Sequence, residues 1–391
     1  MGVAEAVVLK LLSELVAIPS INPAFRRDGE PEQWFGEAVL ADYVAEWLRW
    51  IGLDVEIDTV LPGRPNVIAR LEGRPAGRHL LWEAHLDTVQ VSGMNVDPFK
   101  PMLRNGRLYG RGAVDNKGCL AAFMLALQNL VANPPACGVT FVAAADEEFQ
   151  FKGIVHHLAR GEHYDFGIAG EPTELRIVRA CKGCVRWSID IAGKPAHTSK
   201  PQEGIDAIEI AQDFLRYLRG SGIAGGILHP LLGESTLTCT MFQAGEGPNT
   251  VPASARLTFD YRTLPPQTGA EIWNRIVELT AAFAEKLPAP ARVNVEAPFI
   301  DSIGMEVPES SPIVAAMQDV CSSFGIGVEP EGVPYGSDAT KMTAGGIPSI
   351  IFGPGSIDQA HTAEEFVRVA DVATAAEMLA AVARNFDRGA D

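Results

Sequence analysis

His79-Leu80-Leu81-Trp82-Glu83-Ala84-His85-Leu86-Asp87 and Val139-Thr140-Phe141-Val142-Ala143-Ala144-Ala145-Asp146-Glu147-Glu148 are built alike. Each opens on an apolar run and closes on acids, the first with a histidine beside them. Apolar runs of this length, bounded by turn residues, mark strands covered on both faces, as in a parallel α/β sheet. Between them, Gly110-Arg111-Gly112-Ala113-Val114-Asp115 leads into an apolar stretch from Leu120 to Val131 that reads as a helix. Ligands of open α/β sheets bind beyond the carboxyl ends of the strands, where these side chains emerge. One histidine with several carboxylates at strand ends is a metal-site pattern.

Outward from this stretch, Val3–Ala17 and Phe35–Ile51 read as helices, with three tryptophans near the second expected to pack between helix and sheet. Leu53–Thr59 and Asn66–Leu71 read as strands around a turn at Pro62-Gly63. Phe151–Arg160 is expected to be helical, and Tyr164–Ala169 a short strand ending at Gly170-Glu171-Pro172-Thr173. The rhythm then changes. Strands at Val185–Ile191, Ser235–Gln243, Ala255–Arg262 and Arg292–Glu296 alternate with helices at Ile205–Leu218 and Gly269–Lys286, which is the order of a split βαβ sandwich. A helix at Pro312–Phe324, a strand at Pro348–Phe352 and a helix at Ala363–Asn385 then resume the first pattern. The expected fold class is α/β: a doubly wound, mostly parallel sheet with helices on both faces, plus an inserted smaller α+β, ferredoxin-like domain. The catalytic domain is expected at 1–180 and 297–391, and the insert at 181–296.

Composition narrows the function. The chain has 391 residues, 47% hydrophobic and 21% charged, as in an ordinary globular protein. A net charge of −17 argues against nucleic acid and anionic membranes as partners. No stretch approaches the ~20 apolar residues of a membrane span. Glu5, Lys10 and Glu14 interrupt the N-terminal apolar residues, so no secretory signal is expected there. Six cysteines in a chain this long suggest reduced thiols in a cytoplasm. Cys181-Lys182-Gly183-Cys184 has redox or zinc spacing but no second pair or neighbouring His, and reads as small buried thiols. Gly110-Arg111-Gly112 lacks the third glycine of a dinucleotide loop. His156 and His157 read as a surface pair, and His79, His163 and His229 as surface or packing residues.

Zinc accepts His nitrogen and carboxylate oxygen, and a two-metal site needs one carboxylate between cations ~3.5–4 Å apart. The candidates are His85, Asp87, Asp115, Glu147, Glu148, Glu171 and His361, each just after an expected strand or at a Gly/Pro-rich turn. Singly, an acid after a strand is usually a helix cap or a solvated loop residue. Their conjunction, with His85-Leu86-Asp87-Thr88-Val89, Leu108 to Gly118, Asp146-Glu147-Glu148, Gly170-Glu171-Pro172-Thr173, Gly193-Lys194-Pro195-Ala196-His197, Pro248-Asn249-Thr250-Val251-Pro252, Tyr335-Gly336-Ser337-Asp338 and Gln359-Ala360-His361-Thr362, resembles one family. It is that of the di-zinc aminoacylase-type metallohydrolases, which include acetylornithine deacetylase, succinyl-diaminopimelate desuccinylase, aminoacylase, and certain metallocarboxypeptidases and dipeptidases.

By that resemblance Asp115 would bridge two Zn2+ ions, with Co2+ or Mn2+ able to substitute. His85 and Glu171 would complete one site, and Glu148 and His361 the other. Asp87 would hydrogen-bond the free nitrogen of His85. Glu147 would be the general base on the water between the metals and would hand its proton to the departing amine. The insert would be a lid and dimerisation domain, with His197 reaching the partner's site in a homodimer, Asn249 beside it, and Arg262 reading the substrate carboxylate. An ion pair with Asp260 is the other reading of Arg262. The implied activity is hydrolysis of an N-acyl amino acid, nearest to acetylornithine deacetylase. Desuccinylation, carboxypeptidase or dipeptidase action on a short peptide, and a binding relative without catalysis remain open. Ala84 replaces a usual Gly, Gln90 a frequent Pro, and Asn116 a Met common among deacylases.

Overall fold

The structure is a computed structural model that describes residues 3–74 and 77–386, so the extreme ends of the expected 1–180 and 297–391 segments lie outside the described residues. Two compact units emerge: Met1–Arg179 with Val307–Glu331 and Ser337–Asp391, and Ala180–Glu306 with Gly332–Gly336.

In the first unit the strands Gly138–Ala144, His79–His85, Phe166–Ala169 and Ser349–Ile351 lie side by side and parallel. The antiparallel pair Asp54–Leu61 and Arg64–Leu71 borders them on one side, and Val178–Cys181 follows on the other. His79–His85 and Gly138–Ala144 are buried nearly throughout, which requires cover on both faces of the sheet. Helices Val3–Ala17, Lys117–Ala132, Pro312–Ser323 and Val369–Asn385 form one packed set, and Lys152–Leu158 and Ala339–Ala344 another. Register pairs His85 with Ala144, Glu83 with Ala169, and Ala169 with Ile351, so the parallel strands end level along one edge. Lys117–Ala132 is apolar nearly all round. Its Phe123 lies between Trp82 and Phe141, at 5.4 and 5.7 Å between ring centroids, which seats the helix on both strands and brings its N-terminus to that edge.

The second unit is an antiparallel sheet in the order Thr236–Ala244, Ser254–Arg262, Cys184–Ala192, Arg292–Val295, with helices Ala207–Gly220 and Gly269–Ala284. Period 2 explains its two faces. Val185, Trp187, Ile189 and Ile191 join Leu257, Phe259, Phe214 and Phe283 in the core. The intervening positions carry polar pairs: Arg186 with Asp260, Ser188 with Thr258, and Asp190 with Arg256.

Several expectations are corrected. The second unit runs past 296 because Ile300–Ser302 pairs with Cys184–Arg186, a strand too short to show a period. The closing helix starts at Val369, not Ala363. Phe366–Arg368 is instead a strand on Arg107–Tyr109, which also pairs with Met102–Arg104. Trp50 does not pack inward; it is 73% exposed. His157 is not a surface residue but is fully buried, hydrogen-bonded to the Tyr164 hydroxyl at 2.9 Å.

Candidate metal centre

His85 is the last residue of its strand, and nearly all of its surface is buried. Its Nε2 lies 3.0 Å from Asp115 Oδ1. The other Asp115 oxygen, Oδ2, lies 3.2 Å from His361 Nε2, which also meets Glu148 Oε1 at 3.2 Å. Glu171 follows the strand Phe166–Ala169 and comes to the His85 side. Two sets of donor atoms result, His85–Asp115–Glu171 and Asp115–Glu148–His361, each within 4.8 Å of one another, and either could hold a metal ion. Asp115 belongs to both.

The electrostatics suit a cation. Burial pushes Glu171 and Glu147 well above the usual carboxylate range, and burial together with the neighbouring Asp115 carries Glu148 up to about 7. Burial pulls the His85 imidazole down, yet Asp115, Asp87 and Glu147 outweigh it and hold it well up. His361 behaves likewise between Asp115 and Glu148 and rises to about 11. Protons thus gather where negative charge is crowded and dry. Divalent cations would reverse these shifts, leaving the acids ionised and the imidazoles neutral, and the oxygen-and-nitrogen donor set is one zinc accepts.

The turn after Gly138–Ala144 separates the adjacent glutamates. Asp146 is left-handed, with φ 66°, a conformation Asp tolerates better than most residues. It is held there by Arg64 at 2.9 Å, Asn22 at 3.0 Å, and a bond from its own N–H to Glu37 at 3.1 Å. After this bend Glu148 Oε1 turns to His361, while Glu147 Oε2 stops 3.9 Å from His85 Nε2 and stands outside both donor sets.

Asp87 meets His85 through its main chain rather than its carboxylate. The Nδ1 of His85 bonds its main-chain carbonyl at 2.9 Å, with the carboxylate at 3.6 Å. The carboxylate itself accepts the N–H groups of Glu147 and Glu148, at 3.1 and 3.2 Å, and the Asn22 amide at 2.7 Å. Each buried N–H left unpaired would cost about 1–3 kcal/mol, so Asp87 shapes the Glu147-Glu148 turn. Asn116 donates to the Gly170 carbonyl at 2.7 Å and so steadies the peptide before Glu171. Gly353 passes so close that a Cβ there would stand 2.6 Å from the Glu171 carbonyl oxygen.

Sequence reasoning missed several neighbours. Glu83 and Asp338 are fully buried acids near His85, and burial raises both, Asp338 to about 7. A glutamate inside an otherwise apolar strand was the available signal. Asn22, Glu37, Arg64 and Glu365 carried no local signal.

His197, Asn249 and Arg262 belong to the second unit. His197 is exposed, bonds the Ser199 hydroxyl at 2.8 Å and bridges to Thr250, which sets its motif beside that of Asn249. Arg262 pairs with Asp260 at 2.8 Å, and Arg186 reaches the same carboxylate at 2.7 Å, so the ion pair weighed against a ligand role is present.

The model of peptidase family M20/M25/M40 matches residues 81–385. The chain belongs to that family. It is thus a hydrolase of amide or peptide bonds. It is 30% identical to the acetylornithine deacetylase of Proteus mirabilis, over 97% of this chain and 96% of that one. It is 30% identical to that of Vibrio cholerae, over 92% and 93%. Among solved structures, a tripeptidase from Staphylococcus aureus shares its fold with a TM-score of 0.81 at 24% identity, covering 98% of this chain and 99% of that one. An M20 family metallo-carboxypeptidase from Sulfolobus solfataricus does so at 0.75 and 19%, covering 97% and 99%. Among the described residues, no helix is long and apolar enough to cross a membrane.

Proposed function

We propose that the protein is a deacylase of N-acyl amino acids, acting as its acetylornithine deacetylase relatives are named for, with two zinc ions held by His85, Asp115, Glu171, Glu148 and His361. The observation that carries this reading is the split use of Asp115, one oxygen toward His85 and the other toward His361, with Glu147 3.9 Å from His85 but in neither donor set. Bound there, a cation pair would acidify a water between them and polarise the scissile carbonyl. Glu147 accepts the proton of the attacking water and delivers it to the leaving nitrogen as the C–N bond breaks, giving a carboxylate and a free amine. Asp87 keeps Glu147 aimed by bonding its N–H.

In the second unit, taken as a lid and dimerisation domain, His197 with Asn249 supplies a donor to the developing oxyanion of the partner subunit in a homodimer. Arg262, which shares the single Asp260 carboxylate with Arg186, takes the substrate carboxylate. The cysteine usage fits work in a cytoplasm.

The test is a hydrolysis panel on zinc-, cobalt- and manganese-loaded protein: N-acetylornithine, other N-acetyl amino acids, N-succinyl-diaminopimelate and dipeptides. N-acetyl amino acids should show the highest kcat/KM. Turnover of dipeptides or the succinyl compound alone would make it a peptidase or desuccinylase. Two bound metals with no turnover would make it a binding relative.

A further inference from the structure

Glu365 lies four residues beyond His361, fully buried, just before the strand Phe366–Arg368. Its Oε1 accepts two main-chain N–H groups, those of Val114 at 3.0 Å and Asp115 at 3.1 Å. Its Oε2 takes Arg111 Nη1 at 2.5 Å, and its own carbonyl accepts the N–H of Gly110 at 3.1 Å. Arg111 is buried too and spends its other terminal nitrogen on the Gln90 carbonyl at 2.8 Å. Residues 110–115 form successive turns without a helical or strand ladder, so their buried N–H groups need acceptors from elsewhere. Glu365 provides one for Asp115 itself, the residue common to both donor sets.

We infer that Glu365 is a positioning residue that ties the Asp115 turn to the His361 loop and so sets the spacing of the Asp115–Glu148–His361 group. An ordinary buried ion pair would need only Arg111 and one carboxylate. Here the second carboxylate oxygen is committed to the peptide N–H of Asp115, and the residue sits on the same short segment as His361. The other donor set depends on it less, because His85 and Glu171 are fixed at the ends of paired strands and share only Asp115 with the clamp. The carboxylate of a residue that touches no ligand atom thereby governs one of the two sites.

This inference rests on the reading that both groups hold divalent cations, and a wild-type chain that fails to bind two Co2+ ions would sink that reading separately. The measurement is Co2+ binding, by equilibrium dialysis and visible absorption, on two variants that both carry Arg111→Met and so leave no unpaired buried charge. One adds Glu365→Gln, which keeps an oxygen for the two N–H groups; the other adds Glu365→Met, which removes it. The glutamine form should bind both ions as the wild type does. The methionine form should lose roughly 10–100-fold in affinity for one ion only, with the spectrum of that site altered. Should the methionine form not fold, Glu365→Asp carries the test, since it keeps the charge and withdraws the acceptor, and it should weaken the same single site. Equal binding by the paired variants, equal weakening of both ions, or native binding by Glu365→Asp would reduce Glu365 to a fold ion pair.

Discussion

The two halves of the candidate site reach similar donor geometry by different means. His85 ends a strand and Glu171 follows one by two residues, in a sheet whose register sets where both emerge. His361 stands 49% exposed in an irregular loop, with a left-handed φ of 60°, uncommon for a residue other than glycine. A strand-end donor has its ordering entropy met by the sheet, whereas a loop donor must be ordered by local bonds or by the ion it binds. The His361 half should therefore hold its cation less tightly and depend more on neighbours such as Glu365.

The sharpest way to break this comparison is at the two glutamates, which share a turn but face different partners. Glu147→Gln should retain both cations and lose most of kcat, roughly 10²–10⁴-fold. Glu148→Gln should release the cation of the His361 half alone. Metal analysis showing the reverse pattern would put Glu147 among the donors and dissolve the distinction.

A smaller effect is expected at Asn22, which holds Asp87 and Asp146 together behind the turn. Asn22→Ala should lower kcat by roughly 10–100-fold, as loss of an outer partner commonly does, with little change in KM. A rise in KM at constant kcat would mean that the Asn22 network shapes substrate binding rather than the aim of Glu147.

The smallest effect is a slope in stability. In metal-free protein Glu148 and Asp338 are raised to about 7 from unfolded values near 4.5 and 3.8. The folded chain then binds more protons than the unfolded one, so the stability these groups contribute is full in acid and is lost as pH rises toward 7. Each such group contributes a slope of up to about 1.4 kcal/mol per pH unit within that window. Tm with a chelator present should fall between pH 5 and 7.5, and Zn2+ should flatten the fall. A metal-free Tm that rises over this range would show that the acids are already ionised in the fold.

Much of the frame was legible in the chain. The apolar runs His79–Ala84 and Val139–Ala145 needed cover on both faces, and that requirement alone implied a sheet with helices on each side. Alternation at Val185–Ile191 distinguished the second unit, because one face of its strand meets helices and the other does not. The positions just beyond the strands and turns, from His85 to His361, could be chosen because a strand's end is a local property of sequence.

What only the tertiary structure decided are the bonds between residues far apart in the chain. Asn22 meets Asp146 across 124 positions, and Glu365 meets Asp115 across 250. No periodicity marks such a residue, since its neighbours in sequence are not its neighbours in space. The same holds for strands of three residues such as Phe366–Arg368, too short to carry a pattern, and for His157, whose burial depends on Tyr164 and the sheet beyond it. Residue types and strand ends are written locally and can be read one segment at a time. The aim of each side chain depends on which distant N–H or carbonyl the fold leaves in need of a partner, and that is settled only when the whole sheet has closed.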